Sequence, residues 1–370
     1  MLRLLTLSAL LLTALTWTGC KTDSTDPEDP NQGFDRVPML THYADELIIP
    51  TFSAFAGETE EMEDAMATFA RFPDSTRLED LREQWFELFS AFQYAAIYDF
   101  GPAETNFGTL FENLGSWPVD TTRLEQYIAA GDTSLANFDR DTRGLPALGY
   151  LLHGDGQNMN ELAAAYAQDP DRLAYLRAVV RNLAGEAERI LAAWQGSYRD
   201  DFLASDGTSA GSSTSLLYNN FVLGFERLKN FKVGLPLGKR PGQVAAEPQL
   251  VEAYYSGRSY ELIRIHFNAV ESTYYGRSFP NEEDGVGLVE YLETVTGGPE
   301  LINATEEQIA VVREKMDAIP TEANLAALIA DGDPRVEELH TELQRLTRFF
   351  KSDMSSLLGI SITFDSGDGD

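Results

Sequence analysis

Residues 173–194 read LAYLRAVVRNLAGEAERILAAW, with an apolar residue at every third or fourth position. Steps that alternate between three and four place side chains on one face of an α-helix, so this segment predicts an amphipathic helix of about six or seven turns. The same spacing recurs between residues 336 and 357, and such stripes are typical of helices that pack together in a bundle. The two stripes are Leu173, Leu176, Val180, Leu183, Ala187, Ile190 and Trp194, and Val336, Leu339, Leu343, Leu346, Phe350, Met354 and Leu357.

We therefore predict an all-α protein made of two helical-bundle halves. The first half covers residues 37–205 and the second covers 212–358. Between them, residues 206–211 are predicted to form a linker, because this part of the sequence is rich in glycine and serine. β-branched residues alternate only at 360–364, so we expect at most a short β ribbon near the C-terminus, within an acidic tail at 359–370.

The first twenty residues are typical of an export signal. Arg3 precedes an apolar run that ends near Leu15, which is shorter than the about 20 residues of a membrane-spanning helix. The run closes with Thr-Gly-Cys, which resembles a bacterial lipobox. We predict that residues 1–19 are a lipoprotein signal peptide, that Cys20 is lipidated, and that residues 20–36 form an acidic flexible tether. We expect export across the inner membrane and lipid anchoring in the outer membrane, on its periplasmic or surface face.

The charge of the chain excludes some functions. It contains 28 Lys and Arg against 59 Asp and Glu, which gives a formal net charge of -31 at pH 7. Such a chain cannot neutralise phosphates along a groove, so we expect no nucleic-acid partner. Cys20 is the single cysteine, which excludes an intramolecular disulfide framework and any cysteine-based zinc cluster.

The sequence carries no complete motif for hydrolysis. The four histidines do not form the H-E-x-x-H pattern of common zinc peptidases. His340 follows Glu337 by three residues, but a bundle metal site needs a second motif of this kind. The letters G-x-S-x-G occur at 207–211, within the predicted linker, but an all-α chain offers no strand-turn-helix to make them a nucleophile elbow. There is no glycine-rich phosphate loop.

The segment GLPALGYLLHG, residues 144–154, resembles the signature of the imelysin family. In that family the segment is G-x-H-x-x-E, followed by an aromatic residue, two leucines, another aromatic residue and a glycine. Here Pro146 stands at the histidine position and Gly149 at the glutamate position, and neither can bind a metal ion or move a proton. Further parts of the chain resemble the family in the same order, namely residues 42–52, Trp85, and residues 98–104, 116–120, 232–238, 252–259 and 351–364.

The resemblance implies two helical bundles with a cleft between them, and several side chains are candidates to line that cleft. Tyrosine and carboxylate oxygens are hard ligands that suit ferric iron, so they could form a binding patch without the missing histidine. The alternative is that the carboxylates are helix-end charges and the tyrosines are half-buried packing residues. The candidate ligand-binding residues are Tyr94, Asp99, Glu104, Arg143, Gly144, Tyr150 and His153.

His153 is also a candidate metal ligand, together with Asp155. If the helix begins at Pro146, His153 lies about two turns further and returns to the same face. The alternative is that its ring packs where the family has an aromatic ring, and that Asp155 caps the next turn.

Three functions follow as hypotheses. The resemblance implies a binding component linked to iron acquisition, which would hold iron, another divalent or trivalent metal, or a small ligand in the cleft. The family is named for a metallopeptidase activity, but the loss of both motif residues argues against catalysis here. The third hypothesis is an interaction scaffold without a small-molecule site. The expected partners are the membrane, through the lipid anchor, and iron-uptake proteins or a small ligand.

Overall fold

The computed structural model describes residues 33–364 of the chain. The predicted signal peptide, Cys20, most of the predicted tether and residues 365–370 lie outside the described part. The described chain is mostly helical, which confirms the all-α prediction. None of its helices is both long enough and apolar enough to cross a membrane.

Nine α-helices precede residue 206 in the described chain and seven follow it. The first nine are α1 Arg36–His42, α2 Ile49–Arg71, α3 Ser75–Ala95, α4 Leu110–Leu114, α5 Thr121–Ala129, α6 Gly144–His153, α7 Met159–Gln168, α8 Pro170–Ala193 and α9 Arg199–Ala204. The other seven are α10 Ser213–Glu226, α11 Ser259–Tyr275, α12 Leu288–Glu293, α13 Gly298–Asp317, α14 Leu325–Ala330, α15 Pro334–Thr347 and α16 Met354–Leu358. Wider π-helical turns occur at Tyr43–Ile48, Trp194–Tyr198, Arg227–Gly234 and Arg348–Asp353.

The predicted amphipathic helix is α8. It begins at Pro170, where no hydrogen bond is lost because the first backbone N–H groups of a helix have no partner within it. The Asp169 side chain caps the helix by accepting from the backbone N–H groups of Asp171 and Arg172 at 3.1 and 3.0 Å. Six of the seven residues in its apolar stripe are at most 1% exposed, namely Leu176, Val180, Leu183, Ala187, Ile190 and Trp194.

The strands of the described chain form a two-stranded antiparallel ribbon, β1 Glu104–Thr105 and β2 Gly108–Thr109. Residues 360–364, where the sequence allowed a ribbon, have no regular secondary structure. The reason is that a side chain takes the place of a partner strand. The amide of Asn219 donates to the Ser361 carbonyl at 3.1 Å and accepts from the Thr363 backbone N–H at 2.8 Å.

A continuous cluster of buried apolar side chains runs through both halves. Before residue 206, α2 packs against α3 and α8; after it, α13 packs against α15. Helix α3 also packs against α11, so the two halves contact each other along a helix pair. The predicted boundary at 206–211 stays a prediction.

Candidate functional site

The segment GLPALGYLLHG forms α6, which lies between two glycines with positive φ. Gly144 has φ +78°, and a Cβ atom there would lie 2.4 Å from the Leu114 carbonyl oxygen, so this close approach requires glycine. Gly154, with φ +70°, ends the helix. The helix begins at Gly144, two residues before Pro146, and Pro146 therefore lies within the first turn, where its missing N–H leaves no bond unmade.

An indole ring fills the space beside Gly149. A Cβ atom at Gly149 would lie 2.8 Å from Cζ2 of Trp85 on α3. Trp85 is buried, and its Nε1–H donates to the Leu145 carbonyl at 2.9 Å. The indole also makes edge contacts with Phe89 and His153, at centroid distances of 5.5 and 5.1 Å. A glutamate at position 149 would therefore need the indole to move.

His153 lies at the last turn of α6 with its ring against Trp85. Its Nδ1 lies 2.9 Å from the Gly149 carbonyl oxygen, to which it donates as the N–H tautomer. Burial lowers the pKa of His153 to about 4, and the positive charges of Arg82 and Arg258 act in the same direction. The imidazole is therefore neutral at pH 7, with one nitrogen held by the helix backbone.

A metal ion does not fit the signature position. Pro146 and Gly149 supply no side-chain donor, the indole of Trp85 occupies the adjacent space, and Nδ1 of His153 is held by a backbone carbonyl. Between residues 33 and 364, no group of three or more His, Cys, Asp or Glu side chains is placed to hold a metal ion. Metal binding by His153 and Asp155 stays a prediction.

Tyr150 joins α6 to neighbouring elements. Its hydroxyl donates to Glu125 Oε1 at 2.7 Å, and Glu125 also forms an ion pair with Arg172. The ring packs edge-on against Tyr255, with centroids 4.9 Å apart. Burial and the Glu125 carboxylate raise the pKa of the Tyr150 phenol. This residue therefore contacts the second half of the chain directly.

Asp99 is buried in an ion pair that also crosses between the halves. Its carboxylate accepts from Arg227 at 2.7 Å and from the Phe111 backbone N–H at 3.2 Å. Burial raises the pKa of Asp99, and the Arg227 charge opposes that shift. Glu104 lies on β1, where partial loss of solvent contact and nearby Asp99 raise its pKa. Asp99 is therefore a buried ion-pair partner of the second half.

The remaining candidates lie in other contact networks. The ring of Tyr94 packs against Phe279, with centroids 4.9 Å apart. Arg143 is buried and donates to the Asn113 side chain at 2.8 Å and to two loop carbonyls, of Leu135 at 3.0 Å and Asn137 at 3.1 Å. The structure thus distributes the seven cleft candidates over several networks and does not gather them into one site.

Three cavities are lined by residues of both halves. One of about 490 Å³ is lined by Asp155 from the first half and by Tyr254, Tyr255 and Asn324 from the second. Another of about 340 Å³ is lined by Trp117, Phe231 and neighbouring residues. A small third cavity shares Trp117 with the second cavity and Tyr254 and Tyr255 with the first. We refer to these three cavities together as the inter-half groove.

A buried ion pair holds the segment that carries the two tyrosines. Lys232, on the π-helical turn Arg227–Gly234, donates to both Glu252 oxygens at 2.8 and 2.7 Å and also to Gln93 of α3. Both charged side chains are 1% exposed. Burial lowers the pKa of Lys232, and Glu252 opposes that shift. Sequence reasoning included these residues only as parts of family-like runs, because their partners lie at other places in the chain.

Comparison with known proteins agrees with this fold. The family described as imelysin, peptidase M75, matches residues 48–349. The iron-regulated protein A of Synechococcus elongatus is 22% identical over 299 residues, which are 77% of each chain. An imelysin-like protein from Psychrobacter arcticum 273-4 has a crystal structure with a TM-score of 0.70 and 20% identity, over 89% of this chain and 97% of that one. A crystal structure from Parabacteroides distasonis ATCC 8503 gives a TM-score of 0.71 and 17% identity, over 90% and 97%. Since the family match extends over most of its length, this chain belongs to the imelysin family.

Proposed function

We propose that this protein is a non-catalytic imelysin-family lipoprotein that binds a ligand in the inter-half groove and serves iron acquisition. The main support is the indole of Trp85, which occupies the space beside Gly149 where the family signature has its glutamate. A peptidase of this family would need a metal ion and a base at this place, and the segment supplies neither. The groove, with a cavity of about 490 Å³, favours a binding protein over a scaffold without a ligand site.

The iron link is supported by the name of the relative in Synechococcus elongatus, iron-regulated protein A. The groove would hold an organic ligand and not a bare ion, because no cluster of side chains within residues 33–364 is placed to hold one. The partners proposed for a role in iron acquisition are iron-uptake proteins of the outer membrane.

A proteolysis assay tests the non-catalytic part of the proposal. The purified protein is incubated with unfolded protein substrates, with and without a chelator, beside the His153→Ala variant. We expect no cleavage above the buffer control in any sample. Cleavage that the chelator abolishes, and that the purified variant lacks, would refute the proposal.

The anchor has its own test. The proposed lipid on Cys20 would attach the protein to the outer membrane, and the polar, acidic residues that follow would keep the helical domain away from the bilayer surface. Mass spectrometry of the mature N-terminus should show acylated Cys20 as the first residue, and a Cys20→Ala variant should move to the soluble fraction. An unmodified Cys20, or cleavage at another residue, would contradict the anchor.

A further inference from the structure

Tyr254 and Tyr255 form an aromatic corner in the inter-half groove. Their ring centroids are 5.3 Å apart and their planes meet at 83°, so the two rings form perpendicular walls. Tyr255 is supported from behind by the edge contact with Tyr150, while Tyr254 stays 42% exposed. The electron-rich face of such a ring attracts a cation within about 6 Å of its centroid.

The electrostatics of the same cavity favour a positive ligand. Asp155 is the charged side chain in its lining, and no Lys or Arg within residues 33–364 forms an ion pair with it. Asp155 follows the C-terminal end of α6, where the helix dipole is negative. In the described chain, the Arg side chains that lie over aromatic rings use other rings, such as Phe111 and Phe86. The lining of this cavity therefore carries one negative side chain and no positive one.

The remaining lining suits an organic group. Ala326, Ala327 and Ala330 provide small apolar contacts, and Asn324 and Gln249 provide amide groups. A volume of about 490 Å³ is in the usual range for small-molecule sites and is much larger than a bare ion. Methyl or methylene groups beside a positive centre would match the alanines and the tyrosine faces together.

We propose that the corner of Tyr254, Tyr255 and Asp155 binds a small organic ammonium ion. This inference rests on the proposed function and names the chemistry of its ligand. The cation lies against the tyrosine rings and beside the Asp155 carboxylate, and its apolar part contacts the alanines of α14. The net charge of -31 raises the local concentration of such cations near the surface.

Choline and 3,3-dimethylbutan-1-ol provide a matched pair of probes, because the second has a carbon in place of the charged nitrogen. Calorimetry on the full mature protein should show choline binding and roughly ten-fold weaker binding of the neutral alcohol. Tyr254→Leu and Asp155→Asn should each weaken choline binding, the former by roughly 2- to 30-fold. Glu188→Gln, which removes one exposed charge from α8 outside the groove lining, should leave choline binding unchanged.

Three results would overturn the assignment. They are equal binding of both probes, no choline binding at millimolar concentration, and choline binding that neither groove variant weakens. These results leave the proteolysis assay untouched, since that assay decides whether the protein is catalytic and does not depend on the ligand class.

Discussion

Replacement of Gly149 by alanine tests whether Trp85 closes the signature segment. At an open helical position this change stabilises a protein by about 0.5–1 kcal/mol, because alanine favours the helix and restricts the unfolded chain. At Gly149 the added Cβ lies 2.8 Å from Cζ2 of the indole, so the ring or the helix must shift. The indole has little freedom to move, because it is buried, its N–H is bonded to the Leu145 carbonyl, and it makes edge contacts with the rings of Phe89 and His153.

The magnitude follows from two opposing effects. An extra methyl group in a close-packed core costs about 1–3 kcal/mol, which exceeds the helix-propensity gain. We therefore expect Gly149→Ala to lower the free energy of unfolding by about 0.5–2 kcal/mol. In a Trp85→Phe background the smaller ring leaves room for the methyl group, so the same change should cost less there.

Urea unfolding followed by circular dichroism measures the difference. Gly185→Ala is the matched control, because Gly185 is exposed inside α8 and its Cβ would meet no atom within 4 Å. The control should gain about 0.5–1 kcal/mol. If Gly149→Ala stabilises the protein as much as the control does, the claim that the Trp85 indole fills the space beside Gly149 is refuted.

Three further predictions concern other parts of the structure. Lys232→Met should lower the free energy of unfolding by about 3–5 kcal/mol, because it leaves Glu252 buried without its partner. The double variant Lys232→Met, Glu252→Leu should recover much of that loss. An equal loss in both variants would contradict the ion-pair explanation. His153 has a folded-state pKa of about 4 against 6.5 when unfolded, so the unfolded chain binds the proton first and stability falls as the pH drops from 6.5 towards 4. His153→Phe should reduce this loss of unfolding free energy by up to about 3 kcal/mol at pH 4, as measured by urea unfolding at several pH values. If the pH dependence is the same in both proteins, His153 is not a buried neutral ring. Asp169→Ala should destabilise the protein by about 1 kcal/mol in thermal unfolding, because α8 loses its N-terminal cap. Asp169→Asn should not, because asparagine also caps helices. Similar losses in both variants would show that the cap is unimportant.

The helices could be predicted from the sequence because their cause is local. The three-and-four spacing of residues 173–194 follows from the period of the α-helix, and the structure buries the same stripe. Residues 360–364 were harder, because the Asn219 side chain that takes the backbone bonds of this segment lies 142 residues before Ser361. Alternation alone could not reveal that partner.

The candidate site was harder to predict from the sequence, because the residues that contact each other there lie far apart along the chain. The loss of donors at Pro146 and Gly149 is visible in the residues themselves, whereas Trp85, which fills the space, lies 60 residues before the Leu145 carbonyl that its indole binds. Asp99 has ligand chemistry, but its carboxylate forms an ion pair with Arg227, which lies 128 residues further along the chain. Only the folded chain brings Asp155 into the lining of the same cavity as Tyr254 and Tyr255.

Titration of zinc, ferrous and ferric ions into the metal-free protein tests the central claim most directly, namely that the signature segment no longer holds a metal ion. Calorimetry is carried out on the unmodified protein and on the His153→Ala variant, with Gly185→Ala as a folded control. We predict the same weak or undetectable binding in all three proteins, because Trp85 closes the position and His153 is held by the Gly149 carbonyl. One tight metal site per chain that the His153→Ala variant loses would contradict this claim.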